Sequence, residues 1–139
     1  MDLESIQSEI QRTGLDGWLL FDHHERDPFA HRLLRLKSPG HVSRRWYHFI
    51  PARREPRGLV HHVEPHVLDS LPGARIPYAR WQEQEAGLRQ LLQDAKTVPM
   101  QYSPRCTAPY VANVDAGTGC PGHSAPDRPF PWTRSPRRG

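Results

Sequence analysis

The first apolar pattern in the chain has a helical period. Leu3, Ile6 and Ile10 recur at intervals of three and four residues, which places them on one face of a helix. Asp2 stands before this pattern as a helix cap, and Gly14 stands where a left-handed residue ends a helix. The pattern therefore predicts a short N-terminal helix that buries one face.

A continuous apolar run follows, as is typical of a buried strand. Residues 18–21 are Trp-Leu-Leu-Phe, between Gly17 and a polar segment. A strand without polar alternation is buried on both faces, as in a sheet with helices on either side. A helix, a tight turn and a buried strand together favour α/β layering.

Further short strands and helices are predicted beyond this run. The pattern indicates a helix with Phe29, Leu33, Leu34 and Leu36, followed by a hairpin of strands at 45–50 and 59–63. A short helix with Val67 and Leu68 and an edge strand at 75–78 come next. The last two elements are a helix at 81–94, with Trp81, Leu88, Leu91 and Leu92 on one face, and a strand with Val98, Met100 and Tyr102. The hairpin excludes an all-parallel sheet. We expect a three-layer α/β domain with a mixed five-stranded sheet flanked by helices. The expected core residues are Trp18, Leu20, Phe21, Trp46, Ile50, Leu88 and Leu92.

The composition changes after Thr118, which divides the chain into a domain at 1–118 and a tail at 119–139. The tail holds five Pro, four Arg and three Gly and has no apolar period, so we expect it to be disordered. It carries a net charge of +3 of the chain's +4, and the remaining 118 residues are therefore almost neutral. A near-neutral body gives no reason to expect nucleic acid or a membrane as a partner.

The compartment is predicted from the cysteines and from the N-terminus. Cys106 and Cys120 form neither a CxxC pair nor a disulfide framework. Met1 is not followed by the apolar segment of a signal peptide, and no apolar run approaches the length that spans a bilayer. We expect a cytoplasmic protein.

The histidines suggest a metal site, but their spacing does not complete one. His62 and His66 are four residues apart with Glu64 between them. On one helix they would share a face and bind zinc, yet Pro65 lies between them and no further ligand follows at a suitable spacing. We favour a solvent-facing histidine pair at a strand end.

Two polar segments and one cysteine remain as candidates. Residues 23–25 (His-His-Glu) follow a buried strand, where α/β folds often place a cleft, but a solvated loop is the favoured interpretation. Residues 44–46 (Arg-Arg-Trp) have the chemistry to stack a base or hold a carboxylate, although a charged strand start is the simpler explanation. Cys106 has no histidine at a catalytic spacing. Since glycine-rich phosphate loops, GxSxG and HExxH are also absent from the sequence, we predict no catalytic, cofactor-binding or metal-binding residue.

Several segments, in their order and spacing over residues 1–118, resemble the N-terminal domains of the creatinase/prolidase/aminopeptidase P family. They are GLDGWLLFD at 14–22, RRWY at 44–47, IP at 50–51, LVH at 59–61, EPHVLD at 64–69, LPG at 71–73, YSPR at 102–105, PYV at 109–111 and VDAGT at 114–118. The resemblance implies a ribonuclease H-like domain with a mixed five-stranded sheet. In full-length relatives such a domain precedes a pita-bread catalytic domain.

The resemblance also implies where the family's chemistry lies. In the catalytic domain, two Asp, one His and two Glu hold two divalent metals (manganese, cobalt or zinc), which activate water for attack on an Xaa-Pro bond. None of those ligands can be carried onto this sequence, so we expect no cofactor in this chain and no peptidase activity from it alone. Peptide substrates would be bound only by full-length relatives.

The resemblance ends at Thr118, where relatives continue with a helix and a strand. A frameshift or a truncated gene would give the tail's composition. The first hypothesis for the function is a non-catalytic module with a structural role in homo-oligomerisation and substrate access. A stand-alone binding module with a cleft at residues 22–27 is the alternative, and a nucleic-acid binder that uses the basic tail is a third.

Overall fold

The computed structural model describes residues 2–36, 42–93 and 95–100. The helices are α1 (Leu3–Arg12), α2 (Pro28–Leu34) and α3 (Trp81–Leu91), together with one turn of 3₁₀ helix (Pro65–Leu68). The strands are β1 (Gly17–Asp22), β2 (Trp46–Pro51), β3 (Arg57–His61) and β4 (Ala74–Tyr78).

The N-terminal helix begins and ends as its sequence predicts. The Asp2 carboxylate accepts a hydrogen bond of 3.2 Å from the backbone N–H of Ser5, which satisfies one of the free donors at the start of α1. Gly14 has a φ of +70°, a conformation that residues with a Cβ adopt only at a cost. It lets the chain reverse into β1 within a few residues.

The four strands form one mixed sheet in the order β1-β2-β3-β4. β1 pairs antiparallel with β2, where Leu20 lies opposite His48. β2 pairs antiparallel with β3, and β3 runs parallel to β4, with Leu59 opposite Ile76. The predicted hairpin and mixed sheet are therefore confirmed, although β3 begins and ends two residues earlier than the pattern indicated.

The predicted fifth strand is reduced to a single bridge in the part of the chain that the structure describes. Its backbone follows β1, because Asp16 N–H donates to Thr97 O at 3.1 Å and Leu19 N–H donates to Pro99 O at 3.2 Å. Met100 forms one parallel bridge with Leu19. Pro99 has no N–H to donate, which keeps this segment from forming a regular ladder.

Apolar side chains cover both faces of the sheet, which explains the unbroken apolar run of β1. The face under α1, α2 and the 3₁₀ helix holds buried Ile10, Leu20, Ala30, Leu34, Trp46, Ile50, Val60 and Leu68. The face under α3 holds buried Leu19, Phe21, Tyr47, Phe49, Leu59, Leu91 and Leu92. The three-layer α/β architecture is confirmed.

Most of the expected core residues are buried, but three apolar positions differ. Leu20, Phe21, Trp46, Ile50 and Leu92 are buried. Trp18 and Leu88 are only half-buried, although each packs against one of the two core clusters. Trp81 is 64% exposed because it is the first residue of α3, just past the end of β4. The domain boundary at Thr118 and the tail at 119–139 lie outside the described residues.

Candidate functional site

The histidine and arginine segments singled out in the sequence meet at one edge of the sheet. The edge combines the ends of β1, β3 and β4 with the start of β2, because Asp22 pairs with Trp46 and His61 pairs with Tyr78. A cavity of about 170 Å³ lies there, and the side chains around it include His23, Arg44, Arg45, His61, Tyr78 and Trp81.

A buried carboxylate organises the turn that follows β1. Asp22 is 1% exposed, and its Oδ1 accepts hydrogen bonds from the backbone N–H groups of Arg26 at 2.8 Å and Asp27 at 2.9 Å. Its Oδ2 lies 2.7 Å from His31 Nε2 on α2. These contacts hold two exposed residues, His24 and Glu25, in left-handed conformations with φ near 60° and 55°.

The same turn leads directly into α2. The Asp27 side chain accepts hydrogen bonds from the backbone N–H groups of Phe29 at 3.0 Å and Ala30 at 3.1 Å. Burial raises the pKa of Asp27, and those two hydrogen bonds oppose the rise. The polar residues at 22–27 are thus structural in part: two carboxylates fix the backbone, while His23 lies at the cavity.

Glu64 anchors the segment that leads into β2. Its carboxylate accepts hydrogen bonds from Ser43 N–H at 3.0 Å, Ser43 Oγ at 2.7 Å and Arg44 N–H at 2.9 Å. Burial opposes the ionisation of Glu64, but the hydrogen bonds and the Arg44 charge outweigh it and lower the pKa of Glu64. The Glu64 carboxylate is therefore a hydrogen-bond acceptor for this segment, and the two histidines near it in sequence, His62 and His66, are both exposed.

Replacing Glu64 with alanine should destabilise the fold through this anchor. Glu64→Ala leaves three donors without their acceptor, two of them on half-buried Ser43. We expect a loss on the order of 1–2 kcal/mol in the free energy of unfolding. Urea titration at pH 7 measures it. Glu85→Ala removes a carboxylate whose partner is the exposed Arg89 and should cost less than about 0.5 kcal/mol. Equal losses in the two variants would contradict the anchoring role.

Two aromatic rings of the cavity wall are fixed by backbone partners. His61 Nε2 lies 3.2 Å from Ala79 O, and His61 Nδ1 accepts from Val63 N–H at 3.2 Å, which assigns the ring proton to Nε2. The Tyr78 hydroxyl donates to Arg45 O at 2.7 Å, and burial raises the pKa of Tyr78 to about 12. Tyr78 is therefore a protonated hydrogen-bond donor at neutral pH.

The aromatic residue beside the arginines is not the one the sequence suggested. Trp46 is completely buried, and its ring packs edge-to-face with that of His31 at a centroid distance of 5.9 Å, so it is not placed to stack a base. The favoured interpretation of a charged strand start is confirmed, because β2 begins at Trp46. Exposed Trp81 lies at the cavity with Arg44 and Arg45 instead. Its place at the start of a helix, seven residues before Leu88, made the sequence pattern assign it to a packed face.

Metal-binding groups are not clustered in the part of the chain with described coordinates. No set of three or more His, Cys, Asp or Glu side chains is arranged there to hold a metal ion. Asp22, Asp27 and Glu64 each accept backbone hydrogen bonds instead. Cys106 lies outside the described residues. At this edge the side chains can offer a rim of arginine and tryptophan to a partner or a small ligand.

Comparisons with known proteins identify the fold. No protein-family model matches the sequence, and neither does any curated protein. A proline dipeptidase from Streptococcus pneumoniae is 24% identical, with a TM-score of 0.52 over 72% of this chain and 73% of that chain. The N-terminal domain of Xaa-Pro dipeptidase from Lactobacillus brevis is 15% identical, with a TM-score of 0.52 over 73% of this chain and 76% of that chain. The chain has the fold of an Xaa-Pro dipeptidase N-terminal domain.

This Xaa-Pro dipeptidase N-terminal fold is the one that the resemblance implied, with four regular strands in the described residues where five were expected in the domain. The similarity extends over nearly three quarters of the chain. Among the described helices, none has the length and apolar content needed to cross a membrane.

Proposed function

We propose that this domain is the non-catalytic N-terminal module of a proline-directed (Xaa-Pro) metallopeptidase. The observation that supports it is the fold shared with the Lactobacillus brevis N-terminal domain over 76% of that chain. The sequence segments resembling the family extend the similarity to Thr118. In this proposal the two divalent metals and the hydrolytic water belong to a separate catalytic domain.

The module's own contribution is structural, and it extends to dimer contacts and substrate access in the cytoplasm. The sheet edge supports this role, because its carboxylates hold loops while Arg44, Arg45 and Trp81 remain around the cavity. A rigid rim of cations and an exposed aromatic ring suits contact with another protein surface. We therefore expect a homodimer in sedimentation measurements.

The purified chain should not hydrolyse Xaa-Pro dipeptides. We expect no release of proline from Ala-Pro with added manganese, cobalt or zinc, and no pair of metal ions retained after dialysis, because the ligand set is assigned to another domain. A full-length Xaa-Pro dipeptidase assayed in parallel is the positive control. Turnover above the no-protein blank, together with two bound metal ions per chain, would overturn the proposal.

A further inference from the structure

A second cavity lies at the opposite end of the sheet, where β1 and β3 begin and β2 ends. Its volume of about 390 Å³ is within the range of small-molecule sites. The side chains around it include Leu15, Asp16, Phe49, Arg53, Arg54 and Arg57. None of the segments considered from the sequence as candidate sites contributes to it.

Basic side chains predominate among the described residues around this cavity. They are Arg53, Arg54 and Arg57, and Asp16 is the one acid in that described set. The Asp16 Oδ2 atom accepts hydrogen bonds from Lys96 N–H at 2.8 Å and from Thr97 N–H at 2.7 Å. Asp16 therefore holds the chain after α3 in place.

Arg57 has donor capacity that the protein does not use. Its guanidinium carbon lies 5.6 Å from the centre of the Phe49 ring, which holds the side chain over an apolar surface. Its Nε atom is buried and has no hydrogen-bond partner in the described structure. A buried donor without an acceptor lowers stability, so an oxygen atom of a ligand at this position would be favourable.

The loop that carries the arginines is held in one conformation. Gln7 Nε2 on α1 donates to both Pro51 O and Arg54 O at 2.8 Å. Gln11 Nε2 donates to Ala52 O at 2.6 Å. Because three side-chain hydrogen bonds from one helix fix this loop, a ligand would meet a largely preformed site.

We propose that this cavity binds a small molecule that carries an oxyanion on an apolar body. Arginine donors in a planar fork fit phosphate and carboxylate oxygens, and the buried Nε of Arg57 is a donor for such an oxygen. Leu15, Phe49 and Pro51 supply apolar wall beside the cations.

Site-resolved titration of the isotopically labelled full chain tests the proposal. Phenyl phosphate and benzoate each combine an oxyanion with an apolar ring, phenol lacks the oxyanion, and inorganic phosphate lacks the ring. We expect saturable NMR shifts of the backbone amides of residues 52–55 and 57 with phenyl phosphate, benzoate or both, at lower concentrations than with inorganic phosphate. The preferred ring compound distinguishes phosphate from carboxylate. Per-residue shifts also separate this site from the arginines at 128–138.

Charge-matched variants give the decisive comparison. Arg57→Gln should weaken binding of the preferred probe roughly tenfold, because a charge-assisted hydrogen bond is lost. Arg53→Gln, on the exposed loop, should weaken probe binding as well. This second variant replaces the Arg57 variant as the test if Arg57→Gln fails to fold. Arg89→Gln removes the same charge from α3, where Arg89 pairs with Glu85, and should leave binding unchanged. Equal weakening by all variants, equal binding of phenol, or no saturable shift at residues 52–55 and 57 would overturn the proposal.

Discussion

Leu20→Ala is expected to lower the free energy of unfolding by about 2–5 kcal/mol. Leu20 is 2% exposed on β1 and packs in the cluster under α1 and α2. Removing its three outer carbon atoms gives up their burial and leaves a cavity that a sheet packed on both faces closes only in part. Equilibrium urea titration, with the slope compared between variants, measures the loss.

Val63→Ala is the control for this substitution. Val63 is 58% exposed after the end of β3, so shortening it should change the free energy of unfolding by less than about 0.5 kcal/mol. If Leu20→Ala also cost less than about 0.5 kcal/mol, the assignment of β1 as a strand buried on both faces would be wrong.

The second large effect concerns acid sensitivity, and it comes from a buried histidine. His48 is 1% exposed on β2, between Leu20 on β1 and Gly58 on β3. Neither ring nitrogen has a hydrogen-bond partner in the described structure. Burial, with a smaller contribution from the charge of Arg75, lowers the pKa of His48 from 6.5 to about 4.

Stability should therefore fall with pH below 6.5. Between pH 6.5 and 4 the unfolded chain binds a proton at His48 that the folded chain does not, so acid favours the unfolded state. A pKa difference of this size corresponds to about 3 kcal/mol, since each unit is worth about 1.4 kcal/mol. Above pH 6.5 the ring is neutral in both states, and its effect on the pH dependence ends there.

His48→Leu should remove this part of the pH dependence. At pH 7 the variant should be as stable as the parent or more stable, because it eliminates two buried nitrogens without partners. At pH 4 it should be more stable by about 3 kcal/mol. Urea titrations at half-unit steps of pH measure both results. His66→Leu removes an exposed ring and serves as the control. Parallel pH profiles for the parent and His48→Leu would contradict the burial of a neutral imidazole.

The local sequence determined the elements and their layering. The helical period of Leu3, Ile6 and Ile10 predicted α1, and the unbroken run at residues 18–21 predicted a strand covered on both faces. Hairpin and edge-strand signals predicted the mixed sheet. These features follow from the sequence because periodicity and turn chemistry act between residues only a few positions apart.

Only the tertiary structure decided what the polar residues do. Glu64 could not be assigned as an anchor from the sequence, because Ser43 is 21 residues away. His48 was not singled out, since its burial depends on the strands on both sides. Trp81 fits the helical period of α3, but its side chain is exposed because α3 begins there, just past the end of β4.

The cavity lined by Arg53, Arg54 and Arg57 also depends on the tertiary structure more than on the local sequence. The sequence places Arg53, Arg54 and Arg57 close together in a turn between two strands, which by itself indicates a solvated surface. The fold brings α1 against that turn and holds it through Gln7, while β2 places the Phe49 ring beneath Arg57. The two Gln7 contacts join residues more than 40 positions apart. No local pattern encodes them, because the geometry exists only after the layers have packed.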